Sequence, residues 1–362
     1  MLRTLGIETS CDESAVAVLD RDGAVEANLL SSQITVHAPY GGVVPELASR
    51  EHLKALPYLV EHALEGALEP IEMVAVTAGP GLVGALLVGV RFAAAFAWGK
   101  SVPLVAVDHL EGHLVSPLLN VDGRPARPEP ERMLALVASG GHSSWYAIEG
   151  GSRRCLGRTR DDAAGESFDK VAQILGLGYP GGPAIDELAR HGDPEAVPLP
   201  RPRLKNAPFD FSFSGLKSAA VRWVHDRDLR GAGFSSRRRE VRDLAAGFES
   251  AVVEQLLRPL DELAERHRPQ AVAASGGVAA NTLLRDRLTD WGARQGVEIL
   301  LPVRALTTDN GVMIAHAGQL AHRSGQVDDP RRVDARGREV WQPPGMRKQE
   351  NRLRSREMGE NR

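Results

Sequence analysis

One unit of chain occurs twice in this sequence: an apolar strand, a short polar bend and a second apolar strand. The first copy spans residues 2–19 around the bend 8–14, and the second spans 133–148 around the bend 139–144. Such internal repetition predicts two α/β domains built on one plan. We expect them at residues 1–131 and 132–325, joined by a Pro-, Arg- and Gly-rich linker at 122–131. The remaining segment, 326–362, is Arg-rich without a hydrophobic pattern, and we expect it to be a disordered tail.

Composition restricts the kind of protein and its compartment. The formal net charge is −3, which does not indicate a nucleic-acid binder but leaves local basic patches possible. With only two cysteines, Cys11 and Cys155, a disulfide framework or a cysteine-rich zinc site is excluded. No signal peptide precedes the first strand, and the apolar stretch 81–98 is interrupted by Arg91, which favours a buried helix over a membrane span. We expect a cytoplasmic protein with no membrane partner.

Two histidines four residues apart, His109 and His113, follow the buried strand 102–107. On a helix they lie one above the other on the same face, and two imidazoles so placed can bind one metal ion. Asp309, after a strand in the predicted second domain, is the candidate third ligand. The alternatives are two ordinary histidines on a polar helix face and an aspartate that caps the last helix.

Small and polar residues at the bends provide candidate ligand contacts. The bend 8–14, which contains Asp12 and Glu13, can present N–H groups and carboxylates to a phosphate or metal-bound ligand, or can be a simple polar turn. The glycine loop 78–84 opens a helix and can hold an anion, although it is not a Walker A motif. Gly276 and Gly277 allow a ligand close to the backbone, with Asn281 on the first helical turn, an arrangement that suits adenine and ribose.

Two further segments have a pattern that predicts local structure. The aromatic and hydroxyl alternation at 209–217 is typical of a strand, and the amphipathic stretch 241–267 predicts one long helix. Basic residues cluster at 201–205 and 237–239.

Three other functions fit parts of this pattern. A zinc peptidase would need His-Glu-x-x-His, but Glu111 is two residues after His109 and therefore about 200° around the helix, away from the metal face. An actin-like sugar or acetate kinase would leave the histidine pair without a role. A nucleotide-dependent scaffold of the actin or chaperone type is disfavoured, because no separate peptide-binding domain follows in this sequence.

Taken together, the motifs resemble those of the tRNA adenosine threonylcarbamoyltransferase family, proteins once described as O-sialoglycoprotein endopeptidases. The resemblance covers about residues 5–320. It rests on GIETSCDE (6–13), GGVVPE (41–46), HLEGH (109–113), SGGH (139–142), FDK (168–170), YPGGP (179–183), FSFSGLK (211–217), SGGVAAN (275–281) and TDN (308–310). Ala138 and Ser143 replace the usual Val and Thr, and the Arg-rich tail is not a family feature.

This resemblance implies an actin/Hsp70/hexokinase-like (ASKHA) fold, with two similar RNase H-like domains around a cleft. It implies that His109, His113 and Asp309 hold one divalent metal ion, with Fe(2+) favoured over Zn(2+). The residues implied to contact threonylcarbamoyl-AMP are Val137, Ala138, Ser139, Gly140, Gly141, Asp169, Gly182, Asp186 and Asn281.

The implied reaction transfers the threonylcarbamoyl group to the exocyclic 6-amino group of adenosine 37 in tRNAs that read codons beginning with A, and AMP leaves. Implied partners are the tRNA anticodon loop, a paralogous inactive dimer partner and a small ATPase. Asp12 or Glu13 is our candidate for the base that accepts the proton of the amine. The basic segments 201–205 and 237–239 and the tail are candidate contacts for tRNA phosphates.

Overall fold

The computed structural model describes residues 1–65, 69–227 and 239–337. Its first sheet has the order β3-β2-β1-β4-β5, in which β1 pairs antiparallel with β2 and parallel with β4. The strands are β1 (Thr4–Glu8), β2 (Glu13–Leu19), β3 (Val25–Ser32), β4 (Met73–Gly79) and β5 (Leu104–Asp108).

The second sheet repeats this topology in the order β10-β9-β6-β7-β8. A strand that runs antiparallel to one neighbour and parallel to the other again occupies the centre, so the predicted repetition of one plan is confirmed. The third strand of this unit was not predicted. The strands are β6 (Arg132–Ala138), β7 (Ser143–Glu149), β8 (Ser152–Arg158), β9 (Ala271–Ser275) and β10 (Glu298–Leu300).

Helices cover both faces of each sheet, as the full burial of the central strands requires. They are α1 (Ile34–His37), α2 (Pro45–Leu64), α3 (Val83–Lys100), α4 (His109–Val115), α5 (Ala164–Ile174), α6 (Gly181–Ala189), α7 (Ser214–Asp226), α8 (Arg239–Leu257), α9 (Leu260–His267), α10 (Thr282–Gln295) and α11 (Gly311–Arg323). Length and composition alone would allow α3 to cross a membrane, but it packs against β4 and α2 as the sequence predicted.

The last helix lies on the first sheet, although the sequence predicted it within the second domain. Its buried residues Val312, Met313 and Ile314 pack with Ala75 and Val107 of that sheet. Two glycines allow the close approach: a Cβ on Gly311 would lie 2.5 Å from the Ala17 amide nitrogen, and one on Gly6 would overlap the Gly311 carbonyl.

The histidine helix α4 lies on the second sheet, although it follows a strand of the first. Leu110 and Leu114 are buried against β6 and β9, and Gly112 faces Met313 and Ile314 of α11. The start of α4 and the start of α11 therefore meet between the two sheets.

Two helix and strand predictions were wrong for local reasons. The alternation at 209–217 is not a strand: Asp161 accepts hydrogen bonds from Phe213 and Ser214 and so starts α7 within it. The predicted helix 241–267 is two helices, broken at Pro259, which has no N–H to donate and clashes with the preceding turn.

The prediction of a disordered tail is wrong for residues 326–337, which run along the first sheet. Asp328 pairs with Leu104 and accepts a hydrogen bond from the Ala106 amide. Val333 is buried beside α3, and the Arg336 amide donates to the Ala78 carbonyl. Residues 338–362 lie outside the described residues. The domain limits at 131 and 325 stay predictions.

Candidate metal centre and substrate cleft

His109, His113 and Asp309 come together between the two sheets. One ligand atom of each lies within 4.8 Å of the others. Asp309 Oδ1 is 3.2 Å from His113 Nε2 and 3.5 Å from His109 Nε2. The sequence-predicted ligand set is thus brought into one place, with two imidazoles and one carboxylate facing a common point.

The charges and unsatisfied groups at this point suit a divalent cation. Neither ring nitrogen of the fully buried His113 makes a well-aligned hydrogen bond among the described residues, although Nε2 is 3.2 Å from Asp309 Oδ1, and an unsatisfied buried imidazole is costly. Burial alone would lower the pKa of His109, but Asp309 and Glu8 raise it to about 9, so this position favours positive charge. Burial would also raise the pKa of Asp309, yet the two imidazoles hold it well below its usual range.

Glu8 contacts His109, one of the candidate metal ligands, on the ring nitrogen that faces away from Asp309. This role of Glu8 was not predicted from the sequence. It is fully buried, and its Oε2 lies 3.0 Å from His109 Nδ1 and 2.6 Å from Thr77 Oγ1. A metal-binding histidine commonly donates its second ring N–H to a carboxylate, which fixes the tautomer and ring orientation. The available signal was a carboxylate at the end of a strand whose other residues are apolar.

Asp309 is free to be a ligand because its neighbour caps the helix. Asn310 is the N-cap residue of α11, and its Oδ1 accepts a hydrogen bond from the Met313 amide at 2.9 Å. The alternative role for Asp309, that of a simple helix cap, is therefore wrong.

Glu111 points away from the three ligands, as its helical position predicted. Its carboxylate lies 2.8 Å from Arg153 Nε, and Arg153 also contacts Glu129 at 2.5 Å. This buried ion pair ties α4 to β8. Glu111 is therefore not placed to act on a water at the metal centre, as the base of a peptidase would be.

The first bend brings Asp12 to the loop before α6. Tyr179, in this loop, donates its hydroxyl to Asp12 Oδ2 at 3.1 Å and so joins the chain segments that carry the two sheets. Tyr179 is the first residue of the YPGGP motif. The other candidate base, Glu13, accepts a hydrogen bond from Ser32 at 3.0 Å, and burial raises its pKa to about 7.

Several predicted ligand-contact glycines face open space. A Cβ on Gly140, Gly141, Gly182 or Gly277 would meet no atom within 4 Å. The loop after β6 and the loop after β9 are adjacent, because a Cβ on Gly276 would overlap the Ala138 carbonyl. His142, at the end of the first of these loops, places its ring 6.5 Å from that of His109. The glycine turns therefore form an open backbone surface beside the metal centre.

The other predicted substrate residues differ in what they can offer. Val137 and Ala138 are fully buried at the end of β6. Asn281 uses its oxygen to cap α10 through Leu284 and its nitrogen to bond Glu249 at 2.6 Å.

Of the two predicted carboxylates, Asp169 accepts from the Gly181 amide at 2.7 Å, and Asp186 accepts from Thr282 at 3.0 Å. The Ser139 hydroxyl accepts from the His142 amide at 3.1 Å. Each of these residues already has a partner within the protein.

Comparison with known proteins gave one family and many relatives. The family model TsaD, described as tRNA N6-adenosine threonylcarbamoyltransferase, matches residues 24–316. A relative of that name from Syntrophotalea carbinolica is 46% identical over 342 residues, which cover 93% of this chain and 96% of the relative. Another of that name, from Desulfitobacterium hafniense, is 47% identical over 321 residues, covering 88% and 91%.

Among solved structures, full-length HypF in its phosphate- and nucleotide-bound form has a TM-score of 0.55 at 13% identity, covering 90% of this chain and 56% of HypF. At this identity the likeness concerns the fold alone. Together with the two repeated sheets, it confirms the predicted actin/Hsp70/hexokinase-like class.

Proposed function

The chain belongs to the tRNA N6-adenosine threonylcarbamoyltransferase family, and on that premise we propose how its cleft performs this transfer. The chain is an enzyme of tRNA modification, a transferase of the threonylcarbamoyl group. We propose that the donor is threonylcarbamoyl-AMP and that the acceptor is the 6-amino group of adenosine 37 in tRNAs that read codons beginning with A. The observation that carries the proposal is the His109, His113 and Asp309 cluster beside open glycine turns.

The reaction exchanges one bond at the carbamoyl carbon. The exocyclic nitrogen of adenosine forms a new bond to that carbon, the bond from the carbon to the phosphate oxygen breaks, and AMP leaves with the electron pair. An aromatic amine is a weak nucleophile, so the phosphate leaving group provides the activation. The proton lost by the amine needs an acceptor in the cleft.

Asp12 and Glu13 are the proposed candidates for this acceptor. Glu13, whose pKa is raised by burial to about 7, is matched to take up a proton near neutral pH. Asp12 lies where the two domains meet at Tyr179. If Asp12→Ala and Glu13→Ala each transferred at the wild-type rate with the metal retained, neither residue would be the base.

His109, His113 and Asp309 would hold the metal ion, and we propose Fe(2+) rather than Zn(2+). When bound, such an ion supplies Lewis-acid stabilisation of negative charge on oxygen atoms of the donor. Glu8 orients His109, and Asn310 keeps Asp309 free. Metal analysis of the purified protein by mass spectrometry distinguishes iron from zinc.

The open turns at Ser139, Gly140, Gly141 and Gly182 are the proposed surface for the donor. Backbone N–H groups without Cβ atoms in the way can approach its phosphate and carboxylate. Asp169, Asp186 and Asn281, with the backbone of Val137 and Ala138, would complete this wall. Each of the three side chains would exchange a partner within the protein for one on the donor.

Contacts with tRNA are proposed at the basic segment 201–205 and at Arg239, while residues 237, 238 and 338–362 lie outside the described residues. An anticodon-loop base is single-stranded and can be splayed into the cleft without opening a duplex. Neutralising true phosphate contacts reduces the salt dependence of tRNA affinity. Removing Arg201, Arg203 and Lys205 without changing that dependence would exclude this segment.

The proposed partners are a paralogous inactive subunit and a small ATPase, and the proposed location is the cytoplasm. Scarce cysteine in the sequence supports a reducing compartment. Co-purification of the tagged chain from its own cells, followed by identification of bound proteins, tests the partners.

The function is tested by reconstitution. The purified chain, its partners, an adenylate-forming enzyme, threonine, bicarbonate, ATP and unmodified tRNA are combined, and the digested nucleosides are weighed by mass spectrometry. The proposal expects threonylcarbamoyladenosine that depends on this chain. Peptide cleavage without any dependence on tRNA would favour the peptidase instead.

A further inference from the structure

A buried row of polar side chains runs behind the first bend, at a distance from the metal ligands. His37 and His52 are fully buried, and Gln33, which lies between them, is 3% exposed. His37 Nε2 is 3.1 Å from Gln33 Oε1, and Gln33 Nε2 is 3.3 Å from His52 Nδ1. His52 Nε2 is 2.9 Å from the Cys11 carbonyl oxygen. The function described above uses none of these three side chains.

The direction of every hydrogen bond in this row can be assigned from one end. The Val44 amide can only donate, so His37 Nδ1, 3.3 Å away, accepts and is unprotonated. A neutral His37 then carries its hydrogen on Nε2 and donates to Gln33 Oε1. This fixes the Gln33 amide group, whose nitrogen donates toward His52 Nδ1 and the Ala48 carbonyl.

The same reasoning continues to the bend. His52 Nδ1 accepts from Gln33 and also from the Ser14 hydroxyl at 2.7 Å, so His52 carries its hydrogen on Nε2. That hydrogen is donated to the Cys11 carbonyl. All the bonds therefore point one way, from the Val44 amide to Cys11, and both imidazoles are neutral.

Both peptide groups that flank Asp12 are held by this row. His52 donates to the carbonyl before Asp12, and the backbone amide of Gln33 donates to the Asp12 carbonyl at 3.1 Å. The Asp12 carboxylate in turn accepts from Tyr179 of the second domain. The position of Asp12 in the cleft thus depends on His52 and Gln33.

The other end of the row also touches the second domain. The loop between His37 and Val44 contains Gly41, and a Cβ on Gly41 would lie 2.5 Å from Gln173 Nε2 of α5. The row therefore joins two separate contacts across the cleft: Gly41 with Gln173, and Asp12 with Tyr179.

We propose that His37, Gln33 and His52 are positioning residues for the transfer reaction. They hold Asp12 at the cleft and couple its position to the contact between Gly41 and Gln173. This rests on the proposed function only in that Asp12 lies at the reacting groups. The row acts through the Cys11–Asp12 peptide and does not touch substrate.

Two substitutions at His52 separate positioning from simple packing. In His52→Gln the amide nitrogen replaces Nε2 and still reaches the Cys11 carbonyl. In His52→Asn the amide oxygen replaces Nδ1, so the variant keeps its bonds to Gln33 and Ser14 but loses Cys11. We expect similar melting temperatures for both. The single-turnover transfer rate should fall by about threefold to tenfold for His52→Gln, which keeps the bond to Cys11 but loses the acceptor for Gln33, and by roughly tenfold to 100-fold for His52→Asn.

His62→Gln is the matched control, since His62 is exposed on the same helix and, within the described part of the chain, its ring nitrogen bonds only to the Tyr58 carbonyl. It should transfer at the wild-type rate. Equal losses for His52→Asn and His52→Gln, in proportion to their melting temperatures, would overturn the proposal. A wild-type chain that makes no threonylcarbamoyladenosine would instead overturn the proposed function.

Coupling along the row is tested with His37→Asn, which keeps the acceptor for Val44 but loses the bond to Gln33. Its loss of rate should not add to that of His52→Asn, because either change interrupts the same row. Additive losses contradict the coupling. Nitrogen NMR of labelled histidine gives a readout independent of activity: both residues should show the neutral tautomer with hydrogen on Nε2, and any other state at pH 7.5 refutes the assigned directions.

Discussion

Glu8 Oε2 lies 3.0 Å from His109 Nδ1, so a buried carboxylate of the first strand orients the first residue of the histidine helix. Thr77 and the Ser10 amide also donate to Glu8, which leaves its carboxylate little freedom to turn. The Nε2 atom of His109 is thereby directed toward Asp309. Three chain segments that are distant in sequence are thereby joined in one His/His/Asp cluster.

Glu8→Gln should weaken metal binding while the fold persists. The glutamine has one acceptor oxygen where the carboxylate has two, so it can accept either from the Ser10 amide or from Thr77 and His109. It also loses the charge that favours the donating His109 ring, and loss of such a support commonly reduces affinity about 10- to 100-fold. Titration of the apoprotein with Fe(2+) and with Zn(2+) measures the change. Glu61→Gln, at an exposed position of α2, should bind as wild type does, and unchanged affinity in Glu8→Gln would refute the orienting role.

Gly311→Ala should displace Asp309 by pushing α11 from the first sheet. The added Cβ would lie 2.5 Å from the Ala17 amide, which belongs to a strand and cannot yield. Overpacking of this kind costs about 1–3 kcal/mol of unfolding free energy, or more. Urea unfolding should show this cost together with reduced metal content. Gly99→Ala in α3 is the control: no atom lies within 4 Å of its Cβ, so stability should be equal or higher.

Glu249→Gln should make the protein more stable than wild type at neutral and alkaline pH, because the variant lacks a buried carboxyl group that ionises there. Burial raises the pKa of Glu249 from 4.5 to about 7, although the Asn281 side chain opposes the shift. Since the folded pKa lies above the unfolded one, this contribution to stability is complete below pH 4.5 and is lost as the pH rises through 7.

The variant should therefore be more stable than wild type at pH 8, by about 1–3 kcal/mol, and nearly equal at pH 4.5. Chemical unfolding at both pH values measures the difference. Glu240→Gln, exposed on the first turn of the same helix, should show no such dependence. A Glu249→Gln curve parallel to wild type over this range would show that the carboxyl is not retained in its protonated form.

The parts of the site that were predictable are those encoded by spacing within one segment. His109 and His113 face the same point because residues four apart on a helix do so. Glu111 was expected to point away for the same reason, and it pairs with Arg153. The glycine-containing bends after β6 and after β9 were also predictable, because each follows an apolar strand of recognisable length.

Contacts between distant segments were not predictable in this way. The apolar face of α11 could cover either sheet, and only the Gly6 and Gly311 approach places it on the first. Glu8 lies 101 residues from His109, so no local pattern joins them. Residues 209–217 alternate like a strand, but Asp161 binds the amides of Phe213 and Ser214 and a helix starts there instead.

The most direct measurement is single-turnover transfer from preformed threonylcarbamoyl-AMP to unmodified tRNA, by wild type and by Asp309→Asn, with metal content determined on the same samples. Asp334→Asn, at a surface ion pair with Arg91, is the control and should match wild type. The account predicts threonylcarbamoyladenosine from wild type, and from Asp309→Asn a loss of bound metal and of about 100-fold or more in rate. Equal transfer by Asp309→Asn without bound metal would contradict it.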